Sequence, residues 1–284
     1  MVPFQLARLS DGEFRLLGGF IQETLGIKMP PVKKTLLEGR LQKRLRLLGL
    51  QSFSDYCTYL FSSEGMTQEA VHMLDTVTTN KTEFFREGIH FRYLRNMVLP
   101  QLVGMRAYGP GRPLRVWSAG CSTGEEPYTI AMALNEYAEQ NGGLHFSVLA
   151  TDVSSRALEK ARCGIYEEEK ISPVSEEMRG KYFLRSKDRA KCLVKVVPEL
   201  RERVVFTRVN LMDEDYGLTE PVEVIFCRNV MIYFDRPTQR RLVKKLCGHL
   251  IAGGYVFIGH SETLNGLSVP LVQVAPTLYR KNVR

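Results

Sequence analysis

The sequence predicts an α/β protein. An open, mostly parallel sheet with helices on both faces follows an all-helical N-terminal domain and carries a small inserted antiparallel β-subdomain. Three observations predict this. Residues 1–75 show helical periodicity and no strand-like run. From Leu114 onward, short apolar runs alternate with amphipathic stretches, as a parallel sheet with helical crossovers requires. Between residues 165 and 208 that alternation lapses. The expected bounds are 1–75 for the helical domain and 76–284 for the sheet domain, with the β-subdomain within 165–208.

In the first domain, Asp11 is placed to cap a helix through FRLLGGFIQETLG, with Gly26 near its end. A second helix runs from Val32 to Leu48, where Leu37, Leu41, Leu45 and Leu48 recur at four- and three-residue steps and give one apolar face. Ser52 or Ser54 caps the next helix, and Thr67 opens another through QEAVHMLDTVTT. The polar string TTNKTEFFRE leads into one helix through HFRYLRNMVLPQLVGM.

In the second domain, LRVWSAG is a strand entering a glycine turn, and Pro127 opens the following helix. HFSVLATD is a strand ending at Asp152, and Ser154 or Ser155 caps the helix after it. CLVKVV and VVFTRVN read as the strands of the inserted subdomain, with CLVKVV at its edge. VEVIFCRN is the next strand of the main sheet. Asp235 caps a helix closed by Gly253 and Gly254, and YVFIGHSE is a further strand.

Composition narrows the function classes. No apolar run approaches the roughly 20 residues of a membrane helix, and the first residues lack the basic start and apolar stretch of a signal peptide. The expected location is cytoplasmic, without membrane insertion. The six cysteines are scattered and form no C-x-x-C pair, and the five histidines form no H-E-x-x-H motif. Neither a disulfide framework nor a metal is expected. The net charge of +8 permits nucleic acid, an anionic surface or an acidic protein as partner.

The turn RVWSAGCSTGEEPY carries the first chemical signal. Gly120 and Gly124 let the backbone approach a ligand, and ligands of open α/β sheets sit outside the carboxyl ends of the strands. The dinucleotide fingerprint G-x-G-x-x-G is absent, and Glu125 and Glu126 beside the helix start disfavour a pyrophosphate. A ligand with hydroxyls and an ammonium but no phosphate fits better, and S-adenosylmethionine is one. Asp152, at the end of the second strand, is suited to accept hydrogen bonds from ribose hydroxyls; the plainer reading is a helix cap. TTNKTEFFRE adds Asn80, Thr82 and Arg86, VNLMDEDYG adds Asn210, and CRNVMIYFD adds Arg228, Asn229 and Tyr233.

Together these strings resemble the CheR family of chemotaxis receptor methyltransferases. N-x-T-x-F-F-R-E, S-A-G-C-S-T-G-E-E-P-Y and C-R-N-V-M-I-Y-F-D stand intact and in family order. The resemblance covers nearly the whole chain. It implies an S-adenosylmethionine-dependent methyltransferase (Rossmann-like) sheet and an in-line transfer of methyl to glutamate carboxylates of chemoreceptors, leaving S-adenosylhomocysteine. It further implies that Asn80, Thr82, Arg86 and Gly120 line the cofactor pocket. Glu126 contacts the cofactor, with Glu125 close enough to compete. Asp152 holds the ribose, and Asn210, Leu211, Cys227 and Arg228 flank the adenine. Arg86 and Tyr233 are expected nearest the transferred methyl.

The stretch from Lys28 to Arg46 holds Lys28, Lys33, Lys34, Arg40, Lys43, Arg44 and Arg46 against the single acid Glu38. Lys33, Arg40 and Arg44 fall within about 40° of each other on a helix. With Lys43 they are expected to dock the glutamate-rich methylation helices of a receptor. A nucleic-acid methyltransferase is disfavoured because C-R-N-V stands where an N-P-P-Y motif would hold a flipped base. In some CheR members the β-subdomain captures a receptor's C-terminal peptide as an added strand. Arg185, Lys187, Arg189 and Lys191 suit such an acidic peptide, but the glycine-free turn RSKDRAK predicts a subdomain that forms without binding one.

Overall fold

The computed structural model describes residues 6–283. The chain divides into two compact units, one reaching to Thr79 and including Tyr233–Asp235, the other running from Asn80 to Ile232 and from Arg236 onward.

The first unit is helical: α1 (Asp11–Leu25), α2 (Lys34–Leu48), α3 (Phe53–Leu60), α4 (Ser63–Gln68) and α5 (Ala70–Val77). Leu17, Ile21, Leu37, Leu41, Leu45, Tyr56 and Met73 are fully buried, so the leucine face read from α2 is the face that packs. Ser10, not Asp11, caps α1. Its hydroxyl accepts the Glu13 N–H while the Glu13 carboxylate accepts the Ser10 N–H, a reciprocal capping box. Thr67 opens no helix. It lies inside α4, its hydroxyl donating to Ser63 O at 3.0 Å, and Ser62 is the cap. Residues 31–33 form a 3-10 turn ahead of α2.

The second unit begins with α6 (Ile89–Tyr93), a π turn over Leu94–Val98, and α7 (Leu99–Met105). The single helix expected here is interrupted because Pro100 has no N–H to donate within the helix, and the wider turn absorbs the missing bond. Then follow β1 (Leu114–Ala119), α8 (Glu125–Gln140), β2 (Phe146–Asp152), α9 (Ser155–Cys163), β3 (Ile165–Glu167), α10 (Glu176–Tyr182), β4 (Phe183–Arg185), β5 (Leu193–Val196), α11 (Pro198–Arg201), β6 (Val204–Arg208), β7 (Val222–Cys227), α12 (Arg236–Gly248), β8 (Leu250–Ile258), β9 (Leu271–Ala275) and β10 (Leu278–Lys281). Helix α8 starts two residues before Pro127, and Ser154 caps α9.

The main sheet has the order β6-β2-β1-β7-β8-β10-β9. Its first five strands are mutually parallel, and β10 runs antiparallel to both of its neighbours, β8 and β9. The chain leaves β1 toward β2 and β6, then returns to the other side of β1 with β7. The carboxyl ends of β1 and β7 thus meet at a topological switch point, the usual ligand crevice of an open α/β sheet.

Three expectations change here. VVFTRVN supplies β6, which pairs in parallel with β2 in the main sheet, so the small sheet ends before it. That sheet has the order β3-β5-β4, so CLVKVV is its centre and not its edge. Gly253 and Gly254 do not close α12. They lie in β8, where the register against β7 shifts, and Gly253 has a φ of 75°, as such irregularities often use. Of the basic residues near the small sheet, Arg185 pairs with Glu168 at 3.1 Å and Lys191 with Asp188 at 3.7 Å; the Arg189 side chain lies outside what is described. No helix among the described residues is long and apolar enough to cross a membrane.

Candidate functional site

The site is built from loops at the carboxyl ends of β1, β2 and β7. After β1, Gly120 and Cys121 donate their N–H groups to Thr151 O at 2.8 and 2.9 Å, which holds the turn against β2. Gly124 has a φ of 97°, and a Cβ there would lie 2.8 Å from the Tyr166 hydroxyl and 2.9 Å from the Ala161 side chain. Only glycine lets the turn close this tightly. The N-cap of α9 is Ser154 and not Asp152. Instead Asp152 Oδ2 accepts the Ser122 N–H at 2.8 Å and Oδ1 the Ser154 N–H at 2.9 Å. The acid at the end of β2 is thereby fixed against the turn after β1. The Ser122 hydroxyl is buried and has no partner among the described residues.

The two acids of the turn separate. Glu125 is 1% exposed; its Oε2 accepts from Thr123 Oγ1 at 2.6 Å, and its Oε1 lies 3.8 Å from Lys170 Nζ. Glu126 faces the strand ends. It accepts from Ser118 Oγ of β1 at 2.7 Å and from Arg228 Nη1, just past β7, at 3.1 Å. Burial raises the Glu126 pKa despite the opposing pull of Arg228 and Ser118.

Arg228 is the hub. It is 5% exposed, and its Nη2 donates to the Arg86 carbonyl and to Glu87 Oε2, the latter at 3.1 Å. Its Nε has no partner among the described residues. Glu87 Oε1 accepts from Asn229 Nδ2 at 3.3 Å and from the His260 N–H at 3.2 Å. Burial pushes Glu87 upward, but the His260 N–H and the Arg228 charge outweigh it, so its pKa lies below the ordinary value. Asn229 has a φ of 57°, and Glu262 holds that turn by accepting the N–H groups of Asn229 at 2.9 Å, Gly259 at 2.6 Å and Ile232 at 3.2 Å. Glu87, Ser118, Glu262 and His260 were missed as site residues. The signal for Ser118, His260 and Glu262 was polar residues at a strand end, in WS and GHSE, and for Glu87 its place in the string TTNKTEFFRE.

Residues 12–78 match the family description "CheR methyltransferase, all-alpha domain", and residues 80–277 match "CheR methyltransferase, SAM binding domain". The chain belongs to the CheR methyltransferase family. A chemotaxis protein methyltransferase of Borreliella burgdorferi is 40% identical over 275 residues, covering 96% of this chain and 95% of that one. Another from Escherichia coli K12 is 37% identical over 271 residues, covering 95% of this chain and 91% of that one.

The remaining residues expected from the CheR resemblance are distributed as follows. Asn80 is exposed and Thr82 half-buried. Arg86 is half-buried, its Nη1 donating to Lys81 O at 3.0 Å. Asn210 Oδ1 accepts the Met212 N–H at 3.1 Å, so it shapes the loop that carries Leu211 after β6. Cys227 is fully buried, and burial holds its thiol protonated, well above the ordinary range; only its backbone can take part in binding.

Tyr233 belongs to the first unit. Its carbonyl accepts the Lys28 N–H at 2.9 Å, Lys33 Nζ lies 5.8 Å from its ring centre, and it lines a cleft with Met29, Lys33, Leu36, Arg40 and Thr79. The four expected docking cations differ in what they bind within the first unit. Arg44 is committed to Glu69 through two hydrogen bonds, Nε to Oε1 at 2.8 Å and Nη2 to Oε2, and Tyr56 also donates to that carboxylate at 2.9 Å. With Glu69 1% exposed, this is an internal ion pair. Arg40 is largely spent in tying α2 to the carbonyls of Val77 and Thr78 and to the Thr79 hydroxyl. Lys43 is exposed and Lys33 half-buried.

Proposed function

We propose that this CheR-family chain transfers a methyl group from S-adenosylmethionine to glutamate side chains of chemoreceptors, in the cytoplasm. The observation that carries the cofactor assignment is the joining of Asp152 to the Gly120–Gly124 turn at the switch point of the sheet. The residues present fit such a ligand. They offer a carboxylate for hydroxyls, a tight glycine turn without phosphate-binding features, a second carboxylate at Glu126, and an orphaned Ser122 hydroxyl.

When bound, S-adenosylmethionine supplies a methyl group on a positively charged sulfur. In this reading Asp152 holds the ribose, Asn210, Leu211, Cys227 and Arg228 flank the adenine, and Glu126 with Asn80, Thr82, Gly120 and Arg86 lines the rest of the pocket. Arg86 holds a carboxylate by a charge-assisted bond, and Tyr233 orients the acceptor oxygen. A glutamate is already ionised at neutral pH, with a reference pKa of about 4.3, so the chain needs no general base. Its contribution is alignment and exclusion of water. The acceptor is read as the acidic methylation helices of a receptor, with the exposed Lys43 as a docking cation and Lys33, half-buried with its Nζ donating to Lys28 O at 2.7 Å, beside it.

Calorimetric titration tests the cofactor assignment. Protein freed of bound product is expected to bind S-adenosylmethionine and S-adenosylhomocysteine in the low-micromolar range or tighter, on the order of −8 kcal/mol. Binding of neither compound would end this reading.

A further inference from the structure

We propose that Glu87, His90 and His260 form a binding site for a divalent transition-metal cation of zinc's class. One ligand atom from each of the three lies within 4.8 Å of the others, and His90 Nδ1 stands 3.5 Å from Glu87 Oε2. Tetrahedral zinc with ligands about 2.0–2.1 Å away sets neighbouring ligand atoms about 3.3 Å apart. The spacing already present is therefore close to what the ion requires.

The hydrogen bonding of His90 gives the independent reason. Its ring is fully buried, and its Nε2 lies 2.6 Å from Thr277 Oγ1. The Thr277 hydroxyl oxygen also lies 2.6 Å from Pro276 O, and donating its one proton there leaves it an acceptor toward His90. In that arrangement the ring proton sits on Nε2, and Nδ1 presents a bare lone pair. That Nδ1 has no hydrogen-bond partner among the described residues. What it faces is a carboxylate oxygen, itself only an acceptor. A buried acceptor set against a second acceptor is costly, and a cation between them satisfies both.

The surroundings fit an ion. Glu87 Oε2 gives one lone pair to Arg228 at 3.1 Å and, as a carboxylate oxygen, has a second. Glu126 on the other side of Arg228, and Glu262 linked through Asn229, add two more carboxyl groups to the network. The His260 ring is exposed, stands edge-on to His90 with centroids 5.1 Å apart, and hangs on a backbone already bonded to Glu87. Two imidazoles and one carboxylate suit zinc among the first-row ions, and the exposed side leaves a coordination position for water. Nothing in this inference depends on the methyl-transfer reading.

The test is a Zn²⁺ titration of the full chain against a chromophoric chelator. The exposed thiols Cys163 and Cys192 are first replaced by serine so that they do not compete. One equivalent is expected to bind at micromolar concentration or tighter. His260→Ala should weaken that binding at least tenfold, while the melting temperature measured in excess chelator stays unchanged because the ring is exposed. No saturable binding, or equal affinity in His260→Ala, would overturn the proposal. So would a thiolate charge-transfer band in the Co²⁺-loaded protein, which would put the ion on a cysteine.

Discussion

Arg228 Nη1 lies 3.1 Å from Glu126 Oε2 and Arg228 Nη2 lies 3.1 Å from Glu87 Oε2, so one buried guanidinium joins the turn after β1 to the segment that carries Arg86. Removing one partner of a buried ion pair typically costs about 3–5 kcal/mol, because the other charge is left uncompensated. Arg228→Ala is therefore expected to lower unfolding stability by about that amount in a urea titration. Arg228→Lys should recover only part of it, since an ammonium lacks the fork that reaches both carboxylates. Equal stability of wild type and Arg228→Ala would remove the hub from the account.

Glu125 and Glu126 are adjacent in sequence but face different surroundings, and they should behave differently. Glu126→Gln removes the charge that faces Ser118 and Arg228. It is expected to weaken S-adenosylmethionine binding about tenfold, equivalent to about 1.4 kcal/mol. Glu125→Gln, turned toward Thr123 and Lys170, should change that affinity less than twofold. The reverse order in calorimetry would assign the cofactor contact to Glu125.

Docking and stability should separate on α2. Lys43→Glu reverses an exposed charge and is expected to raise the Michaelis constant for the receptor, most clearly at low salt, because exposed charges are screened beyond about 8 Å near physiological ionic strength. Cofactor affinity and melting temperature should not change. Arg44→Ala leaves Glu69 buried without its partner and should destabilise the protein by about 3–5 kcal/mol, a loss that thermal or urea unfolding reads directly. A stable Arg44→Ala variant with a selective docking defect would restore Arg44 to the docking surface.

Tyr233→Phe isolates one hydroxyl. That hydroxyl makes no hydrogen bond among the described residues, so its removal should leave the melting temperature unchanged while turnover falls. A matched loss of activity and stability would assign Tyr233 to packing. Unchanged turnover would take it out of the chemistry.

Much of this arrangement was legible because it is local. The leucine repeat of α2, the glycine turn after β1 and Asp152 at the end of β2 are each encoded within a few residues, and periodicity and turn chemistry read them directly. What stayed hidden is long-range. Arg228 and Glu87 are 141 positions apart, and nothing near either one announces the other. Arg44 looked like a surface cation because Glu69, 25 positions away, becomes its partner only when α2 and the start of α5 pack. CLVKVV read as an edge because strand order in the small sheet depends on β4, three residues long and too short to register as a strand. The π turn ahead of α7 stands beside Pro100, whose missing N–H interrupts the helical bonding that periodicity alone would continue.

Incubation of the purified protein with methyl-labelled S-adenosylmethionine and membranes containing the organism's chemoreceptors tests the central claim most directly. The account predicts label on a receptor-sized band that mild base releases as methanol, the behaviour of a carboxyl methyl ester, and loss of that label in Asp152→Ala. Absence of transfer, or label on the receptor that survives base, would contradict it.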